Sequence, residues 1–111
     1  MFFKNETLHP PAKYIVFASS EKTDGPYRNI SPRISPENVW AEGPSVLKIG
    51  GWYFVYYDMF REERYGVVVS EDLKTWEDYS KKLKIPRGAK HGSFIKITQE
   101  ELDKLISAAI K

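Results

Sequence analysis

The chain has 111 residues, 41% of them hydrophobic, with 17 basic and 15 acidic side chains for a formal net charge of +2, and no cysteine. That length suits one domain or part of one, able to bury roughly two-thirds of its unfolded surface. The composition excludes a disulfide framework and thiolate metal sites, and no Lys/Arg block is dense enough to track a phosphate backbone, so no nucleic-acid partner is expected.

Aromatic residues make up 14% of the chain, with seven Tyr, six Phe and three Trp, which favours strands and supplies flat apolar faces for packing or ligand stacking. The amino end, Met1-Phe2-Phe3-Lys4-Asn5-Glu6-Thr7, lacks a basic start followed by a long apolar stretch, and nothing approaches a membrane span. As written the chain reads as soluble, untargeted and cytoplasmic, with its compartment open, because cysteine-free proteins occur on both sides of a membrane.

Residues 13–19, Lys-Tyr-Ile-Val-Phe-Ala-Ser, are predicted as a strand ended by the turn-forming Asp24-Gly25-Pro26. Residues 28–39, with Pro32 and Pro36 among Ser, Asn and Arg, suit an irregular connection between two sheet units. Val46 to Ile49 and Trp52 to Asp58 flank Gly50-Gly51, a two-residue loop able to take the positive φ angles of a tight hairpin. In the second of these runs Trp52, Phe54 and Tyr56 alternate with Tyr53, Val55 and Tyr57, so one set faces the core.

Tyr65 to Ser70 is predicted as a third strand after the solvent-facing tip Arg61-Glu62-Glu63-Arg64, and Thr75 to Tyr79 as a short fourth, which completes a meander. After the loop 86–92, Ser93 to Ile97 reads as another strand. In the tail, Thr98 can cap a helix with Glu101 three residues on. Leu102, Leu105, Ile106, Ala109 and Ile110 then share one face, expected to pack on the sheet. The fold class is therefore all-β with one C-terminal helix.

A repeat runs through the strands. Tyr14-Ile15-Val16-Phe17-Ala18-Ser19 matches Tyr65-Gly66-Val67-Val68-Val69-Ser70, and Phe2-Phe3-Lys4-Asn5 resembles Tyr56-Tyr57-Asp58-Met59 just upstream of the second copy. A period near 50 residues with four short strands per unit is the signature of antiparallel β-propeller blades. The expected organisation is a partial blade over 1–30, a linker over 31–39, a complete four-stranded blade over 40–80, and a closing loop, strand and helix over 81–111.

Among single residues, Glu42 stands out. In Trp40-Ala41-Glu42-Gly43-Pro44-Ser45 a carboxylate opens a hairpin beside an aromatic residue and is pinned by a Gly-Pro step, a placement that suits a proton donor facing sugar. Spacing alone favours a solvated carboxylate before a turn. Trp40 reads as a core aromatic or a sugar platform, Asp58 as a turn residue or a group at the site, and His91 as a loop histidine bonded to backbone or a site residue. Arg87 and Lys90, which flank it, either meet sugar hydroxyls or are solvated.

Taken together, Trp-Ala-Glu-Gly-Pro-Ser (40–45), Gly-Gly-Trp-Tyr-Phe-Val-Tyr-Tyr-Asp (50–58), Tyr-Gly-Val-Val-Val-Ser-Glu-Asp-Leu-Lys-Thr-Trp (65–76) and Lys-His-Gly-Ser-Phe (90–94) resemble glycoside hydrolase family 43 and its five-bladed propeller relatives, the arabinanase- and xylosidase-like enzymes. The run Ala-Ser-Ser-Glu-Lys-Thr-Asp-Gly-Pro-Tyr (18–27) joins them. The likeness covers nearly the whole chain and matches the later part of such a domain.

It implies inverting hydrolysis of arabinose- or xylose-type glycosides with Glu42 as general acid, and two aspartates on earlier blades that these residues do not include. The candidate substrate contacts are Trp40, Asp58, Arg87 and His91, with no cofactor required, and the resemblance implies a calcium beside His91 as in some similar family members. Two further expectations follow: an arabino- or xylo-oligosaccharide ligand, and a homo-oligomer joined through exposed blade edges. The alternative is a non-catalytic carbohydrate-binding or self-assembling blade module.

Overall fold

A computed structural model describes residues 1–9 and 11–110. The chain is mostly β, as its composition and alternation anticipate. A two-stranded antiparallel sheet joins β1 (Phe2–Lys4) to β2 (Ile15–Phe17). A four-stranded antiparallel sheet runs in sequence order through β3 (Ala41–Ile49), β4 (Trp52–Met59), β5 (Arg64–Ser70) and β6 (Glu77–Asp78). One helix, α1 (Gln99–Ile110), ends the chain. No closed barrel forms among the described residues, and no helix is long and apolar enough to cross a membrane.

Gly50 and Gly51 take φ of +55° and +85° between the paired residues Ile49 and Trp52, the backbone a primed two-residue turn demands. Along β4 the alternation resolves as expected: Val55, Tyr57 and Met59 are buried, while Phe54, Tyr56 and Asp58 lie on the opposite face. The buried set meets Ile15, Ile34, Ala41 and Val68 between the two sheets, with Phe2, Phe17, Val39 and Trp76 packed around them. Phe2, Phe17 and Trp76 form an aromatic trio with centroids 5.3–6.2 Å apart.

The repeat is visible in the ladders with one adjustment. Phe2 faces Phe17 as Val55 faces Val68, and Phe3 faces Val16 as Tyr56 faces Val67. Phe2-Phe3 is thus equivalent to Val55-Tyr56, one residue from the alignment the letters suggest. Since a single-residue slip exchanges the two faces of a strand, register puts Phe2 on the core side, where the aromatic letters alone would have put Phe3.

Three expectations change. The 31–39 connection is irregular but packed: Ile15 and Phe17 donate their N–H groups to Ser35 Oγ (3.1 Å) and Ser31 Oγ (3.0 Å), and Ile34 N–H returns to the Ile15 carbonyl at 3.0 Å. The segment 93–97 is not a strand. Phe94 is held instead by its N–H to Ser45 Oγ at 3.0 Å and by its ring, stacked on Tyr56 at 3.9 Å, so side chains replace the ladder.

Helix α1 forms but buries no residue, and Leu105 is 60% exposed. The expected capping box is present: Thr98 Oγ1 accepts the Glu101 N–H at 3.2 Å and Glu101 Oε2 accepts the Thr98 N–H at 2.7 Å. Amphipathic periodicity specifies an apolar face; it does not specify what covers that face.

Candidate functional site

Residue types at the start of β3 dictate a local break. Pro44 has no N–H to give a ladder and Gly43 takes φ +54°, so the β3–β4 register shifts between Glu42 and Ser45 in a β-bulge. The bulge leaves Glu42 directly opposite Asp58, on the same face of the sheet. Neighbouring elements then fix the carboxylate. The Trp40 indole N–H donates to Glu42 Oε1 at 2.6 Å, and the Lys4 ammonium donates to the same oxygen at 3.1 Å. Glu6 in turn bridges Lys4 and Lys13, making a chain of alternating charge from one sheet to the other.

This arrangement decides the protonation of Glu42, whose side chain is 26% exposed. The Trp40 N–H and then the Lys4 hydrogen bond and charge outweigh burial and hold its carboxyl below the usual carboxylate range. Lys4 is the converse case: burial works to lower its pKa, and its hydrogen bonds to Glu6 and Glu42 overcome that and raise it. A general acid requires the opposite, a carboxyl held up near the working pH. As placed here Glu42 is an ionised hydrogen-bond acceptor.

Trp40 is not an open stacking platform. The Arg61 guanidinium lies over its ring at 4.6 Å from the centroid, the Lys13 ammonium is at 5.7 Å, and the Phe60 ring is at 6.0 Å. Its evident work is to orient Glu42. Asp58, 14% exposed, is more than a strand-end turn residue: its Oδ2 accepts the His91 backbone N–H at 3.2 Å, with His91 Nδ1 3.7 Å away.

His91 therefore sits beside Asp58 with its ring 77% exposed and its backbone at φ +50°. The next N–H, of Gly92, donates to the Tyr65 hydroxyl; a Cβ at Gly92 would stand 2.9 Å from that oxygen, so glycine lets the loop approach. Arg87 lies on the exposed turn 86–89 and makes no hydrogen bond or ion pair among the described residues, so it is not brought to the others.

Among the described residues no three His, Asp or Glu side chains converge, and His91 with one carboxylate falls far short of the roughly six to eight oxygen ligands that calcium takes.

Two cavities flank Arg61. One of about 370 Å³ is lined by Asp58, the hairpin tip and the Lys90-His91 loop, and one of about 360 Å³ lies on the Lys13, Arg33 and Trp40 side. A larger one of about 510 Å³ at the 19–29 turn touches none of these residues and has no chemistry to match. Lys4, Arg61 and Tyr65 are the site residues that sequence reasoning missed. The repeat register could have pointed to Lys4, but nothing local marks Arg61, which was read as a solvated hairpin tip. Comparison with known proteins returns no match to any family model, curated protein or solved structure.

Proposed function

We propose that this chain is the acid-bearing part of a sugar-cleaving propeller similar to glycoside hydrolase family 43, and that its 111 residues by themselves bind arabinose- or xylose-type oligosaccharides without cleaving them. The observation that carries this reading is the bulge at Gly43-Pro44, which sets Glu42 across from Asp58 and fixes it through Trp40 and Lys4. Ionised carboxylates in fixed positions are strong acceptors for sugar hydroxyls.

Inverting hydrolysis needs an acid and a base on opposite sides of the anomeric carbon, roughly 6.5–9.5 Å apart with a water between. Asp58 is paired with Glu42 on the same face of the adjacent strand, and its Oδ2 is engaged by the His91 N–H. Carboxylates brought up from further blades would raise the Glu42 pKa and turn the acceptor into an acid. The second reading, a non-catalytic carbohydrate-binding module, is favoured by the lowered pKa of Glu42.

Calorimetric titration with arabino- and xylo-oligosaccharides, run beside an aryl-glycoside release assay, tests both readings. The expected result is saturable binding, weakened about tenfold by Glu42→Gln through loss of a charge-assisted hydrogen bond, with no aryl release. Binding unaltered by Glu42→Gln would remove Glu42 from the site, and absence of heat with every sugar would remove the carbohydrate reading altogether.

A further inference from the structure

We propose that the cavity beside Asp58 and His91 is a subsite for a sugar carboxylate, so that the ligand is a uronate-bearing oligosaccharide. This deepens the carbohydrate reading of the same site and rests on it. The cavity, about 370 Å³, has Asp58, Arg61, Glu63, Arg64 and Lys90 as its charged lining with His91 beside them, and its volume falls in the range of small-ligand sites.

Both of its carboxylates are engaged. Asp58 holds the His91 N–H at 3.2 Å, and Glu63 Oε1 faces the Lys90 ammonium at 3.7 Å. Arg61 and Arg64 have no carboxylate partner among the described residues. The cations on the other side of Trp40 are already committed: Lys13 is bound to Glu6, and Arg33 donates to the carbonyls of Ser35, Pro36 and Val39 at 3.0, 2.6 and 3.2 Å.

Arg61 has a different anchor. Its guanidinium lies over the Trp40 ring, which lines the neighbouring cavity, at 4.6 Å from the centroid, so the fork is held at the border between the two cavities, and none of its side-chain N–H groups is drawn into a hydrogen bond among the described residues. A planar fork so held matches the two oxygens of a carboxylate better than the scattered hydroxyls of a neutral sugar. Trp40 also donates to Glu42, so the indole that Arg61 covers is the one that fixes the carboxylate at the bulge. A sugar residue held at Glu42 and an acidic branch held at Arg61 are then parts of one ligand.

The test is calorimetric titration of the chain with xylotetraose and with xylotetraose carrying one glucuronate branch, at low and at high sodium chloride. The branched sugar is expected to bind about tenfold more tightly, as one charge-assisted contact provides. The preference should shrink as salt screens it. Arg61→Gln is expected to bring the two affinities together, while Arg61→Lys, which keeps the charge but loses the fork and its seat on Trp40, retains only a minor part of the difference; Arg64→Gln, whose loss of charge is independent of Trp40, gives a partial reduction. Equal affinity for the two sugars overturns the subsite and leaves the carbohydrate reading standing. A preference that survives Arg61→Gln also overturns it, and binding of neither sugar overturns both.

Discussion

Gly66→Ala tests how the sheet core is built. Gly66 pairs with Tyr57 across β4–β5, and the Tyr57 ring lies against it: a Cβ at position 66 would stand 2.6 Å from Cε2 and Cζ and 2.7 Å from the hydroxyl. Carbon atoms in contact settle about 3.5–4.0 Å apart, so the ring would have to move by about an ångström. Tyr57 is 0% exposed and packed among Val55, Met59 and Val68, which leaves it little room.

Forcing extra volume into a filled core costs about 1–3 kcal/mol, and this site belongs at the upper end. Gly66 does not have positive φ, so alanine would restrict the unfolded chain without strain and return about 0.4–1 kcal/mol. The net expectation is destabilisation of about 2 kcal/mol, read as a fall in Tm of about 10 °C. Urea denaturation followed by tryptophan fluorescence measures it, since Trp76 packs against the same core.

Tyr57→Leu removes the ring that the new methyl would strike. A double-mutant cycle of Tyr57→Leu with Gly66→Ala should therefore show a coupling of about 1 kcal/mol or more. Gly66→Ala within about 0.5 kcal/mol of the parent, or a cycle with no coupling, would refute the placement of the ring. The Tyr57 hydroxyl has no hydrogen-bond partner among the described residues, and burial pushes its pKa up to about 12. Ser80, near enough to act on that phenol, spends its own hydroxyl on the Val67 backbone at 3.1 and 3.5 Å.

Two further outcomes follow from other parts of the molecule. Because the folded-state pKa of Glu42 is lowered, its contribution to stability is complete above the unfolded value near 4.5 and is lost as pH falls through the folded value. Glu42→Gln should therefore be the less stable above pH 4.5 and converge on the parent only as pH falls below the lowered folded-state value; a constant offset across both ranges would show that the Trp40 and Lys4 contacts to the carboxylate are not its source. The unburied face of α1, together with the exposed sheet edges, is expected to make the chain a dimer or larger by light scattering, and Leu105→Glu with Ile106→Glu should shift it to monomer. A monodisperse parent monomer would remove the self-association.

The amino-acid sequence by itself determined whatever depends on near neighbours. Gly50-Gly51 can close only a tight turn, alternation along Trp52–Met59 assigns the two faces of β4, and Thr98 with Glu101 starts a helix, because each signal acts within a few residues. The Gly43-Pro44 step beside Glu42 acts over the same short range, though the bulge it makes shows only in the strand register.

Tertiary structure alone decided what spans long separations. The Lys4 contact that joins Trp40 in holding the Glu42 carboxyl low comes from 38 residues away, and the position of His91 depends on Asp58, 33 residues away. The closure of Trp40 by Arg61, the side-chain docking of Phe94 in place of a strand, and the lack of cover over α1 belong with them. Short-range pattern constrains φ, ψ and facing, whereas the strength of a charge, the openness of a ring and the burial of an apolar stripe are set by whichever atoms the fold brings within a few ångströms.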